Sequence, residues 1–183
     1  LIIDLRGNGG GALSEATALT GLFIESGPVV QVRDARGRTR INRDPENDLA
    51  YAGPLAVVVD RDSASASEIF AGAIQDYRRG IILGEDTFGK GTVQNLIDLD
   101  RYAEDSNVPL GQLKVTIAQF FRVSGASTQH RGVTPDIQIP SAQVINEYGE
   151  RSLKNALPWD EIDPVEFASY PESIQESQLS TLR

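Results

Sequence analysis

Ser63, Ser65 and Ser67 stand in the segment Asp62-Ser63-Ala64-Ser65-Ala66-Ser67-Glu68, and Lys90 stands between two glycines in Thr87-Phe88-Gly89-Lys90-Gly91-Thr92-Val93-Gln94. A serine hydroxyl is a poor nucleophile at neutral pH until a base within hydrogen-bond reach takes its proton. A lysine amine is such a base only when it is neutral part of the time. Burial favours that form, because the ammonium loses its hydration. The chain has one histidine and no cysteine, so a serine–lysine pair is the most economical nucleophile and base it offers. Ser65 and Lys90 are 25 positions apart. Gln94 follows Lys90 by four positions, which puts the two on one face of a strand or of a helix, so Gln94 can orient the amine.

Ser65 falls where a loop enters a helix. The free N–H groups there, at the positive end of the helix dipole, stabilise a developing oxyanion, with the Ala66 N–H as the natural donor. The loop Gly9-Gly10-Gly11 offers a second donor, since its backbone can approach a ligand closely. A plainer reading fits the same residues. Ser65-Ala66-Ser67-Glu68 is a Ser-x-x-Glu capping box, in which Ser65 only caps the helix. Ser63 and Ser67 are rival nucleophiles, and glycines beside Lys90 also suit an ordinary turn. His130 lies in a polar, turn-like stretch and is expected on the surface. Asp76 lies 11 residues after Ser65, about 16 Å along a continuous helix, which points to a structural role. No His, Asp or Glu cluster has metal-ligand spacing, and the glycine loop lacks the Gly-Lys-Ser/Thr ending of a phosphate loop. No metal or cofactor is expected.

These residues need elements to hold them. Leu1–Leu5 is expected as a buried strand, Ser14–Ile24 as a helix, and Val29–Arg33 with Thr39–Ile41 as a hairpin. Asn42–Ala52 is expected as an exposed loop. Leu55–Asp60 is a second buried strand. Ala66–Tyr77 is a helix with one apolar stripe of Ile69, Phe70, Ala73, Ile74 and Tyr77. Strands follow at Ile81–Gly84, Thr92–Leu99 and Leu113–Val123, the last two flanking a polar insertion at Arg101–Gly111. Val133–Ile137 closes the sheet region. Strands alternating with helices define an α/β domain. From Asn146 the chain turns acidic and carries Pro158, Pro164 and Pro171. The organisation expected is a core over 1–145 and a C-terminal extension over 146–183.

The 183 residues are 40% hydrophobic and 23% charged, as suits one domain with a real core. No run approaches the roughly 20 apolar residues of a membrane-spanning helix. A net charge of −9 argues against a nucleic-acid partner, whose affinity rests on Lys and Arg at phosphates. Without cysteine there are no disulfides or thiolate metal sites. The chain has no methionine and opens within an apparent strand, so a piece of a longer protein is expected, and any signal peptide would lie outside it.

Four segments, in order, resemble those of the S41 family of serine peptidases, the carboxy-terminal processing or tail-specific proteases. They are Asp4-Leu5-Arg6-Gly7-Asn8-Gly9-Gly10-Gly11, Ser63–Glu68, Phe88–Gln94 and Gly132-Val133-Thr134-Pro135-Asp136. Asn155-Ala156-Leu157-Pro158-Trp159-Asp160 extends the likeness toward the bacterial tail-specific subgroup. The resemblance implies a crotonase/ClpP-like α/β core, present in part, with the family's PDZ-like domain and the N-terminal part of the core absent. It implies Ser65 as nucleophile, Lys90 as general base and Gln94 as its orienting partner. The oxyanion hole would be the N–H groups of Gly11 and Ala66, Asp76 would be a supporting residue, and His130 would have no catalytic task. It further implies protein or peptide substrates with apolar C-termini, cleaved through an acyl-enzyme, an adaptor protein as a possible partner, and a periplasmic location. Two rival functions are a non-catalytic ligand- or peptide-binding module that keeps the fold, and crotonase-type acyl-thioester chemistry.

Overall fold

The computed structural model describes residues 1–44, 48–102, 109–140 and 148–171. Within them the elements are β1 (Ile2–Asp4), α1 (Leu13–Gly21), β2 (Gly27–Asp34), β3 (Thr39–Asp44), β4 (Ala56–Val59), α2 (Ala66–Asp76), β5 (Ile81–Gly84), β6 (Thr92–Asp98), β7 (Gln112–Phe121) and β8 (Ile137–Gln138). Two short 3-10 turns lie at Leu99–Tyr102 and Glu150–Ser152. Most of the polar insertion expected at Arg101–Gly111, and the junction near residue 145, lie outside the described residues.

Two four-stranded sheets form. One is parallel, in the order β1-β4-β5-β8, and the other antiparallel, in the order β3-β2-β7-β6. Helix α2 packs between them. Phe70, Ala71 and Ile74 join Val57, Val59 and Ile82 of the parallel sheet in one apolar cluster. Ile69, Ala73 and Tyr77 join Val29, Val30 and Phe120 of the antiparallel sheet in a second. The single stripe expected for this helix is therefore two faces serving two cores. Each fully buried Phe or Ile contributes about 1.5–3 kcal/mol, so α2 is held rigidly from both sides.

Three expectations change. The first strand is an edge, with Ile2 70% exposed while Leu5 reaches the core, because only alternate side chains of an edge strand face inward. The hairpin strand β3 runs on to Asp44 into the segment expected as a loop, its register with β2 restored beyond a bulge at Pro28/Val30. His130, expected on the surface, is half-buried with φ +66°, and its Nε2 is buried without a hydrogen-bond partner. Its backbone N–H donates to the Gly89 carbonyl at 2.8 Å, which draws it in.

Beyond β8, residues 148–171 lie across the core as an irregular strap. The Ile162 and Val165 N–H groups donate to the Gly125 and Val123 carbonyls, and the Tyr170 N–H donates to the Tyr77 carbonyl. Phe167 packs on the Tyr77 ring at 4.9 Å. Arg33 pairs with Asp160 of the strap. Arg79 is 2% exposed. It satisfies its guanidinium on the carbonyls of Phe23, Tyr51 and Gly53, with the Tyr51 and Tyr170 rings within 6 Å.

Candidate active site

Parallel pairing decides what meets. β1 pairs with β4 and β4 with β5, so the loops leaving their carboxyl ends emerge side by side, where ligands of open α/β sheets are bound. The first loop carries Gly7–Gly11, the second Ser63 and Ser65, the third Lys90. Residues from Gly7 to Lys90, 83 positions apart, are brought to one edge by two strand registers.

The serine loop is fastened to the glycine loop. The Ala64 N–H and the Ser67 hydroxyl both donate to the Asn8 carbonyl at 3.0 Å. The Gly7 N–H donates to the Asp60 carboxylate, and the Gly10 N–H to Asn8 Oδ1. Gly10 has φ +100°, and a Cβ there would stand 2.6 Å from the Ala64 carbonyl oxygen and 2.8 Å from Ser65 Cβ. Only glycine lets this backbone lie against the serine. A cavity of about 160 Å³ opens between this loop and the first turn of α2, lined by Gly10, Gly11, Leu19, Ala66 and Phe70 among others.

The three serines are not equivalent. Ser63 is fully buried. Its hydroxyl donates to the Leu5 carbonyl at 2.8 Å and accepts from the Asp60 N–H at 3.0 Å, tying β1 to β4. Ser67 is buried and spent on Asn8. Ser65 is half-buried at the head of α2 with φ +57° and ψ −112°. A non-glycine residue in such a region costs of order 1–3 kcal/mol and persists where its surroundings over-determine it.

What over-determines it is Glu68, fully buried one turn into α2. Its Oε2 accepts from the Ser65 N–H at 2.7 Å and the Lys90 N–H at 2.9 Å. Its Oε1 accepts from the Thr87 hydroxyl at 2.6 Å and the Gly89 N–H at 2.8 Å. One carboxylate thus clamps the serine loop to the lysine loop. Burial pushes the Glu68 carboxyl up to about 7, and its four hydrogen bonds work against that rise. The sequence shows only the capping-box half of this role. The further signal was a charge set directly before the apolar run Ile69-Phe70-Ala71, where nothing but a fully bonded carboxylate is tolerated.

Lys90 is half-buried, and burial is the main cause holding its amine below the ordinary lysine value. Lys114 on β7 acts in the same direction, while Glu150 and Glu68 oppose it. Its flanking glycines are pressed on residues 127–130. A Cβ at Gly89 would meet the His130 carbonyl carbon at 2.9 Å, and one at Gly91 would meet Ser127 Oγ at 2.7 Å. Gln94 is exposed on β6, one residue beyond a register shift against β7, and Thr92 between it and the lysine is buried. The strand begins at Thr92, so Lys90 belongs to the loop rather than to the strand face it was read to share. Asp76, at the far end of α2, receives Arg122 through Nε at 3.0 Å and Nη2 at 2.5 Å. It pins β7 to the helix. Among the described residues no three metal-ligating side chains cluster, and no helix is long and apolar enough to cross a membrane.

A domain with these three loops in this order defines a class. Residues 1–139 match peptidase family S41, and residues 145–183 match the C-terminal domain of tail specific protease. The chain belongs to peptidase family S41. It is 56% identical over 167 residues to the tail-specific protease of Haemophilus influenzae, covering 91% of this chain and 24% of that protein. It is 37% identical over 139 residues to a chloroplastic C-terminal processing peptidase of Tetradesmus obliquus, covering 76% of this chain and 28% of the relative. Among solved structures, the photosystem II D1 C-terminal processing protease superposes with a TM-score of 0.65 at 36% identity, over 76% of this chain and 34% of that one. Mature CPAF, at 17% identity and a TM-score of 0.60, shares the fold. The chain spans about a quarter of the length of the curated relatives it matches.

Proposed function

We propose that the chain carries the nucleophile and base of a serine endopeptidase that cleaves proteins near apolar C-terminal tails. The observation that carries this reading is Glu68, whose one carboxylate bonds the backbone N–H groups of both Ser65 and Lys90. Lys90 takes the Ser65 proton. Ser65 Oγ attacks the scissile carbonyl, the oxyanion is received by the N–H groups of Gly11 and Ala66, and the amine leaves with the proton returned from Lys90. Water, deprotonated by the same amine, then hydrolyses the ester on Ser65. Asp76, paired with Arg122, supports the helix without touching the reacting atoms.

Commitment of the Ser63 and Ser67 hydroxyls to strand and loop carbonyls supports Ser65 as the nucleophile. Burial of Lys90 supports its neutral form. A groove of about 450 Å³ has Leu13, Val32, Val93 and Ile117 on one part of its walls and Asp34, Arg38 and Arg40 on another, and its apolar part suits an apolar substrate segment. The relatives named tail-specific and C-terminal processing proteases favour the same substrate class. A periplasmic setting, an adaptor that delivers substrate, and a division into a core over 1–145 and an extension over 146–183 complete the proposal.

The test is made in the intact protein with a peptide ending in apolar residues and with a serine-reactive phosphonate. Ser65→Ala and Lys90→Ala each abolish cleavage while leaving the protein folded, and the phosphonate labels Ser65. Retained cleavage in either variant overturns the assignment. Peptide binding without labelling would make the chain a binding module.

A further inference from the structure

Three consecutive N–H groups, of Gly89, Lys90 and Gly91, hold the lysine loop. Glu68 takes the first two, and Gln129 takes the third through Oε1 at 2.8 Å. Gln129 is fully buried. Its amide nitrogen donates to the Leu157 carbonyl at 2.9 Å and to Glu150 Oε1 at 3.2 Å. Only one orientation of the amide fits, because its oxygen must face an N–H and its nitrogen must face two acceptors. Both partners of the nitrogen belong to the strap.

The strap touches the lysine loop elsewhere too. The Glu150 N–H donates to the Phe88 carbonyl at 3.0 Å, and Tyr148 packs edge-on to the Phe88 ring at 6.0 Å. Gly149 has φ +81°, and a Cβ there would stand 2.5 Å from the Phe88 carbonyl oxygen. Trp159 Nε1 donates to the Ser127 carbonyl at 2.9 Å, and the Arg131 guanidinium lies 3.6 Å over its ring. Residues 148–159 thus grip both segments that frame Lys90.

We infer that Gln129 is a positioning residue for Lys90, and that through its amide the placement of the lysine depends on the docked strap, residues 148–157. This rests on the reading of Lys90 as the base. The physical reason is that two buried side chains, Glu68 and Gln129, accept from the three consecutive N–H groups of the loop. With Gln129 uncoupled, the Gly91 N–H loses its acceptor and, of the side chains that accept from the loop's N–H groups, Glu68 remains; a misplacement of about 1 Å costs about 100-fold in rate.

The experiment compares Gln129→Ala, Glu150→Ala and Glu150→Gln in the intact protein, using a fluorescence-quenched peptide with an apolar C-terminus. Gln129→Ala lowers kcat about 30-fold with KM within about twofold, and slows phosphonate labelling of Ser65 by a similar factor. Glu150→Gln keeps an oxygen for the Gln129 amide and holds kcat within about threefold. Its acid limb moves to lower pH, since of the charged groups facing Lys90 (Glu68, Lys114 and Glu150) one carboxylate is lost. Glu150→Ala falls between the other two in kcat and reads the same coupling if Gln129→Ala does not fold. The inference is overturned if kcat in Gln129→Ala stays within about threefold, if its loss only tracks the unfolded fraction, or if Glu150→Gln is as impaired as Glu150→Ala. Loss of cleavage in Lys90→Ala together with any of these sinks the inference alone. Retained cleavage in Lys90→Ala sinks the parent reading.

Discussion

Replacing Glu68 by Gln is the sharpest probe of the clamp between the two loops. The carboxylate accepts four hydrogen bonds, two on each oxygen. A glutamine offers one oxygen and one NH2 group. If the oxygen faces Ser65 and Lys90, the NH2 faces Thr87 and Gly89. The Thr87 hydroxyl can turn to accept, and the Gly89 N–H is left without a partner. The reverse orientation strands both Ser65 and Lys90, so the first is preferred. One buried, unsatisfied N–H costs about 1–3 kcal/mol, and the relief from burying a neutral group offsets part of it. The net destabilisation is about 1–2 kcal/mol, a fall of roughly 2–4 °C in Tm for each kcal/mol in a domain of this size. Because the lost bond is the one beside Lys90, kcat falls about tenfold or more. Thermal unfolding by circular dichroism and phosphonate labelling of Ser65 read the two effects. A Glu68→Gln variant with unchanged Tm and unchanged labelling rate would refute the clamp.

Other perturbations test neighbouring parts of the site. Gly10→Ala brings a Cβ into the Ala64 carbonyl and Ser65 Cβ at φ +100°, and its backbone strain of about 1–3 kcal/mol lowers Tm and abolishes labelling; a normally labelled variant contradicts the close approach. Arg122→Ala leaves Asp76 nearly buried without its cation and costs about 3 kcal/mol, while the folded fraction keeps its kcat; a kcat loss beyond the unfolded fraction would give Asp76 a direct part. In a pH titration, kcat falls on acidification as the Lys90 amine takes up its proton, and it falls further as pH drops through about 7, because Glu68 protonates and gives up an acceptor site. Its folded pKa lies above the unfolded one, so this group adds stability on acidification and Tm does not fall between pH 7 and 5 on its account. Activity and Tm falling together across that window would contradict this assignment.

The motifs around Ser65 and Lys90 were readable because each is local. Glycines at 9–11 and at 89 and 91, a Ser-x-x-Glu head on an apolar helix, and short apolar runs all follow from the steric and capping preferences of single residues. The class of fold was readable for the same reason, from strands alternating with a helix. The strap's seat on the core and the split of α2 between two sheets were not, since polar, proline-bearing segments and helical stripes do not name their partners.

The serine and lysine segments and the glycine loop are legible in the sequence, which carries both the residue types and the order of the segments. The tertiary structure decided that the Ser63 hydroxyl is committed to Leu5 and that of Ser67 to Asn8, which only β1–β4 pairing brings within reach. It also decided what holds the lysine. Glu68 and Gln129 act on it from 22 and 39 positions away, the first from helix α2 and the second held in turn by the C-terminal strap. Hydrogen bonds to backbone N–H groups leave no mark in the sequence of the segment they hold, so that part of the site exists only once the chain is folded.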